Sequence, residues 1–237
     1  MKAHLREGAA ALGRTKVLLV RRPERRHRRT LRVFWGSSPE RNPSLFGAEV
    51  EHHEDLLELD LAAPGEPIDH PLFLVCTHGK HDRCCARHGR PLYEALREQA
   101  DEGWVWQCTH VGGDRFAGNV VVLPEGLYFG RISREQVWPL VDDYLARRLH
   151  LDTYRGRSCY PFAVQAAESA VRQATGLAGI DEVELVSSDP IHLRAADRVY
   201  EVEVEREAGE LTYLTCSAET LRHPRRYAAR SLRVLGA

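Results

Sequence analysis

Between residues 71 and 148 the hydrophobic and polar positions alternate as they do in short strands and helices. Four apolar runs predict strands, with Pro124-Glu125-Gly126 as a hairpin loop: PLFLVCT at 71–77, WVWQCTH at 104–110, and the runs 119–123 and 127–132. One helix is predicted from Pro91 to about residue 100, and a second follows the capping-box pair Ser133 and Gln136. The predicted order is strand, helix, strand, hairpin, helix.

Further elements are predicted on both sides of this segment. Three runs rich in β-branched or aromatic residues predict earlier strands, at 16–20, 30–35 and 56–61. After Gly156 the pattern predicts a helix over 162–175 that ends at Gly176. Alternating apolar and polar residues then predict antiparallel strands with one solvent-facing side, at 180–188, 198–207 and 211–218.

Composition places the chain among globular proteins, because 43% of its 237 residues are hydrophobic and 28% are charged. No apolar run approaches the ~18–20 residues that cross a bilayer, and Met1 to Thr15 contain no apolar core of a secretory signal. We therefore expect a cytoplasmic protein that does not bind membranes.

The formal net charge of −1 hides a basic N-terminal region, since residues 1–32 contain 11 Lys and Arg but 2 Asp and Glu. Seven of these are the arginines between Arg21 and Arg32, which could hold phosphates or form a solvated loop between two strands. No aromatic residues interleave with them, so we favour the solvated loop and do not expect nucleic acid as a partner.

Four of the six cysteines lie within 33 residues, and no CxxC pair is present. A disulfide scaffold is disfavoured in a chain long enough for its own core. The segment CTHGKHDRCC at 76–85 instead concentrates three thiols and two imidazoles at the end of a buried strand, and THVGGD at 109–114 adds His110 and Asp114. Thiolates and imidazoles are the ligands of zinc and of iron–sulfur clusters.

Other kinds of site would leave some of these residues without a role. A Cys–His hydrolase could use Cys76 or Cys85 with His110 as base, but the extra cysteines would then have no role. His78 and His81 are interpreted as loop residues or as donors behind the ligands. Cys84, next to Cys85, is interpreted as packing rather than ligand, and Cys159 and Cys216 as small buried hydrophobic residues.

The stretch from 71 to 131 closely resembles the sucrase/ferredoxin-like family, with a further match in RGRSCYPFAVQAAE at 155–168. The motifs that carry the resemblance are CTHGKHDRCC, RP at 90–91, HVGGDRFAGN at 110–119, LPEG at 123–126 and YFGR at 128–131. The resemblance implies an α/β (α+β) chain with a thioredoxin-like ferredoxin domain at 71–150. Residues 1–70 would be an N-terminal strand region packing on this core, and 151–237 a C-terminal appendage of helix and antiparallel sheet.

In the eukaryotic branch of the family, a Cys, eight residues, a second Cys and an HxGGH motif hold a [2Fe-2S] cluster. The same positions here are Cys76, Cys85, His110 and Asp114, which stands where the eukaryotic pattern has His. Asp114, Cys108 or Cys84 could be the fourth ligand, and we favour Asp114 because it keeps the gap across the Gly-Gly turn. Counting thiolate and carboxylate charges then predicts a reduction potential above plant-type ferredoxins and below a site with two His ligands.

We therefore predict an electron-transfer protein rather than an enzyme, with an unidentified redox partner protein. The alternatives are a thiol-dependent oxidoreductase that uses Cys84 and Cys85, and a zinc-stabilised binding module.

Overall fold

The computed structural model describes residues 15–23 and 30–235. Its described residues form thirteen β-strands and three α-helices, in this order along the chain: β1 (Val20–Arg21), β2 (Leu31–Ser37), β3 (Ser44–Val50), β4 (Glu66–Pro67), β5 (Leu72–Cys76), α1 (Arg83–Gln99), β6 (Val105–Cys108), β7 (Val120–Leu123), β8 (Leu127–Phe129), α2 (Val137–Leu145), β9 (Tyr154–Arg157), α3 (Phe162–Thr175), β10 (Val183–Ser188), β11 (Ile191–Ala195), β12 (Arg198–Ala208) and β13 (Arg225–Leu235). None of the described helices is long and apolar enough to cross a membrane.

The central sheet has six strands in the order β1-β6-β5-β7-β8-β9. Strand β5 runs parallel to β6, with α1 as the connection, and antiparallel to β7, which forms a hairpin with β8. A strand–helix–strand unit followed by a hairpin and a helix, with the first strand in the middle, is the thioredoxin-like arrangement. The expected α/β (α+β) fold class and the element order over 71–148 are confirmed.

The two faces of this sheet are covered by different parts of the chain. Helices α1 and α2 pack on one face, where Phe73 and Val75 of β5 meet Leu92 and Leu96 of α1. On the other face, Leu45 and Phe34 of the N-terminal sheet β2-β3-β4 pack near Leu74, Trp106 and Cys76. Alternate side chains of β5 are therefore buried in two different hydrophobic cores, one on each face of the sheet, which explains the continuous apolar sequence of this strand.

The C-terminal sheet has the order β10-β11-β12-β13 and packs against α3. Buried Glu168 of α3 accepts from Arg172 Nε at 3.0 Å and from the hydroxyl of Tyr154 at 3.1 Å. Gln165 Nε2 donates to the carbonyls of Arg157 and Tyr160 at 2.9 and 3.1 Å. These contacts give RGRSCYPFAVQAAE a structural role: they connect α3 to the edge strand β9.

Several predicted elements agree with the structure. Ser133 and Gln136 form the capping box, and α3 ends at Gly176, whose φ is 75°. Only Val20 of the predicted strand at 16–20 lies in a strand. The predicted strands at 30–35, 180–188 and 198–207 correspond to β2, β10 and β12. Much of the arginine-rich segment, residues 24–29, lies outside the described residues, and so do residues 1–14, where no secretory signal was expected.

The predicted strand at 56–61 is wrong. A short 3-10 turn, Glu54–Leu57, overlaps the start of this segment. It forms because the Asp55 carboxylate accepts the backbone N–H groups of His52 and Glu51 at 2.8 and 3.2 Å. This local hydrogen bonding closes a turn in place of a strand. The strand that pairs with β2 is instead β3, which the pattern missed because Gly47 interrupts its apolar residues.

The predicted start of the first helix at Pro91 is also wrong. Helix α1 begins at Arg83, where the Asp82 carboxylate accepts the N–H of Cys84 at 2.7 Å as the N-cap. Pro91 lies inside the helix, which continues because Leu92 and Leu96 are buried against the sheet. The burial of this apolar face outweighs the one hydrogen bond that proline removes.

The third predicted strand of the C-terminal sheet, at 211–218, is wrong as well. This segment belongs to the connection between β12 and β13, where an isolated bridge joins Thr212 to Arg222. The strand that pairs with β12 is β13, over Arg225–Leu235. The domain boundaries at 70/71 and 150/151 stay predictions.

Candidate metal centre

The end of β5 and the start of α1 bring two cysteines to one place. Cys76 is the last residue of β5, Cys85 lies in the first turn of α1, and both side chains are buried. Helix and strand approach closely at Gly89, where an added Cβ would lie 2.0 Å from the carbonyl oxygen of Cys76. Only glycine permits this approach, so Gly89 helps to set the distance between the two thiols.

A Gly-Gly turn after β6 supplies the other two predicted ligands. Gly112 and Gly113 have φ values of 102° and 74°, a region that side chains disfavour, as the sequence predicted. The turn places His110 before it and Asp114 after it, and Asn119 Nδ2 holds it by donating to the Gly113 carbonyl at 2.9 Å. His110 Nδ1 then lies 3.1 Å from Asp114 Oδ1.

The junction of β5 with α1 and the Gly-Gly turn place their side chains in one cluster of donor atoms. The Cys76 and Cys85 sulfurs lie 4.0 and 3.9 Å from His110 Nδ1, and all three atoms are within 4.8 Å of one another. Cys85 Sγ donates to Asp114 Oδ1 at 3.7 Å. The structure therefore brings together all four residues predicted from the sequence.

The two thiols of this cluster have opposite acidities. The pKa of Cys76 is lowered to about 5, chiefly because Cys85 donates a hydrogen bond to its sulfur; the backbone N–H groups of His78 and Val111 add to the effect. The pKa of Cys85 is raised, because its proton is held by Cys76 and its surroundings are buried. At neutral pH the pair thus holds one thiolate and one thiol.

Two further histidines support the site. His78 Nδ1 accepts the backbone N–H of His110 at 3.2 Å, so this ring nitrogen is an acceptor and not the donor that the sequence interpretation offered. The His81 ring stacks on the His110 ring at a centroid distance of 3.7 Å, and its Nε2 lies 3.6 Å from Asp114 Oδ2. His81, His110 and Asp114 form a second group of donor atoms, so His81 is a candidate ligand that the sequence interpretation placed in the loop.

The remaining cysteines differ from the sequence interpretation. Cys84 and Cys216 form a disulfide with a Cα–Cα distance of 5.6 Å, which corrects their interpretation as packing residues. This one disulfide is not a disulfide scaffold, and the sequence did not indicate it because tertiary contact joins positions 132 residues apart. Cys84 therefore has no free thiol to be the fourth ligand, and no vicinal dithiol exists with Cys85.

Cys108, the other alternative fourth ligand, lies opposite Cys76 in the parallel pair of β5 and β6. It is buried, and burial followed by the neighbouring Cys76 charge raises its pKa. It belongs to none of the donor groups among residues 15–23 and 30–235. Lys16, which the sequence interpretation did not single out, donates to the Val111 carbonyl and interacts favourably with the Cys76 thiolate.

Comparison with known proteins matches the sucrase/ferredoxin-like family model over residues 15–156, more than half of the chain and the whole donor cluster. The chain belongs to the sucrase/ferredoxin-like family. Within it, the chain is 32% identical over 131 residues to "Altered inheritance of mitochondria protein 32" of Meyerozyma guilliermondii, covering 50% of this chain and 46% of that protein. The protein of the same name from Eremothecium gossypii is 27% identical over 106 residues, covering 39% and 34%. The chain thus spans less than half the length of these relatives of the sucrase/ferredoxin-like family.

Solved structures similar to this sucrase/ferredoxin-like chain include the thioredoxin-like [2Fe-2S] ferredoxin of Aquifex aeolicus. The match is 20% identical with a TM-score of 0.34, and covers 40% of this chain and 96% of the ferredoxin. A cysteine-to-serine variant of that ferredoxin matches at 18% identity and a TM-score of 0.34, covering 37% and 100%.

Proposed function

We propose that the protein transfers single electrons through a [2Fe-2S] cluster held by Cys76, Cys85, His110 and Asp114. The observation that carries this proposal is the donor set: two cysteine sulfurs and an imidazole nitrogen gather at the end of a buried strand, with a carboxylate beside them. Membership in a family described as sucrase/ferredoxin-like supports it.

The donor set fits such a cluster chemically. Thiolates and imidazole both ligate iron in [2Fe-2S] proteins, and exchanging thiolate for imidazole raises the reduction potential. Cys76 is ionised near neutral pH, so the first sulfur ligand is ready to bind metal. When bound, the cluster would supply one reversible electron transfer.

The protein residues would orient the ligands and exclude water. Cys76 and Cys85 are buried, whereas the His110 and Asp114 side chains are 21% and 16% exposed, so the cluster would reach solvent on the histidine side. His81 stacking and the contact between Asp114 and His110 Nδ1 restrict the rotation of the imidazole. His78 holds the backbone from which that side chain starts.

A zinc-stabilised binding module is the second candidate, because the donor cluster is compact. The donor atoms are separated by 3.7 to 4.0 Å. These distances are only slightly longer than the edges, about 3.3–3.8 Å, of a tetrahedron around one ion with metal–ligand bonds of about 2.0–2.3 Å. Two irons would require the turn that carries His110 and Asp114 to lie further from the cysteines. A thiol-dependent oxidoreductase is the weaker alternative, because Cys84 is bonded to Cys216.

The deciding experiment is anaerobic purification followed by a visible absorption spectrum and analysis of iron, sulfide and zinc. We expect a red-brown protein with iron and sulfide in equal amounts. Cys85→Ser should lose the colour, His110→Ala should shift the spectrum, and Asp114→Ala should show whether the carboxylate is a ligand. Cys159→Ser, which changes a cysteine outside the donor groups, is the matched control.

Colourless protein with zinc would establish the second candidate and exclude the electron carrier. Colourless protein without metal would leave the thiol-dependent oxidoreductase as the remaining candidate. An assay of dithiol oxidation that compares the wild type with Cys76→Ser would test it.

Location and partners are part of the same proposal. We propose a cytoplasmic protein that exchanges electrons with a redox partner protein, and neither a membrane nor a nucleic acid is needed for this activity. The names of the two matched relatives include the word mitochondria. Cell fractionation, with detection of the protein in the cytosol and in organelles, is therefore the appropriate test of its location.

A further inference from the structure

Three arginine side chains converge on one aromatic ring beside the donor cluster. The guanidinium carbons of Arg155, Arg115 and Arg131 lie 3.3, 4.6 and 5.2 Å from the centroid of the Phe116 ring. Arg155 and Arg131 are exposed and Arg115 is half-buried. We call these three residues the arginine surface. Cationic groups at such distances are attracted to the ring face.

The backbone that carries this surface is held in place. Phe116 ends the 3-10 turn Asp114–Phe116, and its carbonyl accepts the N–H of Arg131 at 2.7 Å. An added Cβ at Gly130 would lie 3.0 Å from the Cβ and carbonyl oxygen of Phe116, so the chain after β8 packs directly on this turn. Arg155 lies in β9, the strand that pairs with β8. The three charges are therefore positioned before any partner arrives.

The arginine surface has no counter-charge within the described part of the chain. None of the ion pairs found among residues 15–23 and 30–235 includes Arg115, Arg131 or Arg155. Arg155 as a whole residue is exposed, but its guanidinium lies against the Phe116 ring and is partly shielded from water. This partial burial, followed by repulsion from Arg115 and Arg131, lowers the pKa of Arg155 to about 10. Three neighbouring like charges cost folding free energy, and an anionic group placed against them would recover it.

The position of the arginine surface indicates which kind of partner would supply that anionic group. Asp114 and Phe116 are two residues apart, so their Cα atoms are separated by at most about 7 Å. The side of the donor cluster that reaches solvent, through His110 and Asp114, is therefore next to the arginines. A partner that exchanges electrons there has to bring its own surface to this turn.

We propose that the arginine surface docks an acidic surface of the redox partner protein, through carboxylates that pair with Arg115, Arg131 and Arg155. This inference rests on the proposed electron-transfer function. Guanidinium groups bind carboxylates through two parallel hydrogen bonds, which would fix the orientation of the partner as well as attract it.

A binding measurement tests docking without requiring the cluster. The probe is a short poly-glutamate peptide, titrated calorimetrically into the full chain at low ionic strength. Arg131→Gln/Arg155→Gln should weaken binding about fivefold to tenfold, because each exposed pair contributes modestly. Binding should be nearly lost when salt rises from about 0.01 M to about 1 M. Arg198→Gln/Arg206→Gln, which changes two exposed arginines of β12, is the matched control.

Equal binding by the wild type and the Arg131/Arg155 variant would overturn the proposal, and so would an equal loss in the Arg198/Arg206 control. Inorganic phosphate serves as a second probe. If phosphate alone binds more tightly than the peptide, the arginines form a small-anion site and the docking proposal fails.

A second measurement connects docking to electron transfer. Dithionite-reduced protein is oxidised by ferricyanide, an anion, or by hexaammineruthenium(III), a cation, each of which takes one electron from the cluster. The Arg131→Gln/Arg155→Gln variant should react several-fold more slowly with ferricyanide but not with the ruthenium complex. Equal slowing with both oxidants would overturn the proposal. Peptide binding in a protein without iron would instead contradict only the electron-transfer function.

Discussion

His110 Nδ1 lies 3.1 Å from the Asp114 carboxylate, across a turn of two glycines that both have positive φ. Asp114 can therefore ligate a metal beside His110, or it can accept a hydrogen bond from Nδ1, which this nitrogen donates only while it does not itself ligate the metal. The two roles give different reduction potentials, because only a ligating carboxylate adds its full charge to the cluster.

Replacing Asp114 by His should raise the reduction potential on the order of 100 mV, since one negative ligand becomes neutral. Potentiometric titration followed by visible absorption measures this directly. Asp142→Asn, which removes an exposed carboxylate of α2, should leave the potential nearly unchanged because solvent screens its charge. An unchanged potential in Asp114→His would assign Asp114 the orienting role.

Metal uptake by the metal-free protein should depend on pH through Cys85. Cys76 is ionised above a pKa of about 5, whereas the raised pKa of Cys85 keeps that thiol protonated at neutral pH. Binding must then release one proton, so the affinity for Co²⁺ should rise about tenfold per pH unit between about pH 7 and 8.5. Spectroscopic titration measures the slope. A slope of zero would mean that both thiols are already ionised.

The Cys84–Cys216 disulfide should stabilise the fold, because it closes a loop of 132 residues. We expect Cys216→Ser to lower the free energy of unfolding by about 2–4 kcal/mol, measured by urea denaturation. Dithiothreitol should lower wild-type stability by a similar amount and leave the variant unaffected. Wild-type protein that is insensitive to the reductant under these conditions would contradict a formed disulfide.

The buried pair of Glu168 and Arg172 should be sensitive to loss of one partner. Both side chains are at most 1% exposed, so Glu168→Gln leaves the guanidinium of Arg172 buried without its counter-charge. Destabilisation of about 3–5 kcal/mol is expected, read from the urea midpoint. Glu205→Gln removes an exposed partner of Arg230 and should cost less than about 1 kcal/mol. Similar losses in both variants would contradict this reasoning.

The sequence alone determined the class of the central fold and the order of its elements, because both depend on local patterns. The continuous apolar run of β5 predicted a buried strand, and the Gly112-Gly113 pair predicted a turn that other residues resist. Cys76, Cys85 and His110 were assigned as ligands through the resemblance to the sucrase/ferredoxin-like family, and they lie at these two features. Where local chemistry gave a misleading signal, the prediction was wrong: Pro91 suggested a helix start, but the N-cap is Asp82.

Only the tertiary structure decided which distant residues meet. Cys216 reaches Cys84 from the connection between β12 and β13, and Arg155 reaches Phe116 from the neighbouring strand. No periodicity or spacing records these contacts, because they depend on how separate elements pack after each has formed. The choice of β3 and β13 as sheet partners has the same cause, since strand pairing depends on the neighbours available in the fold.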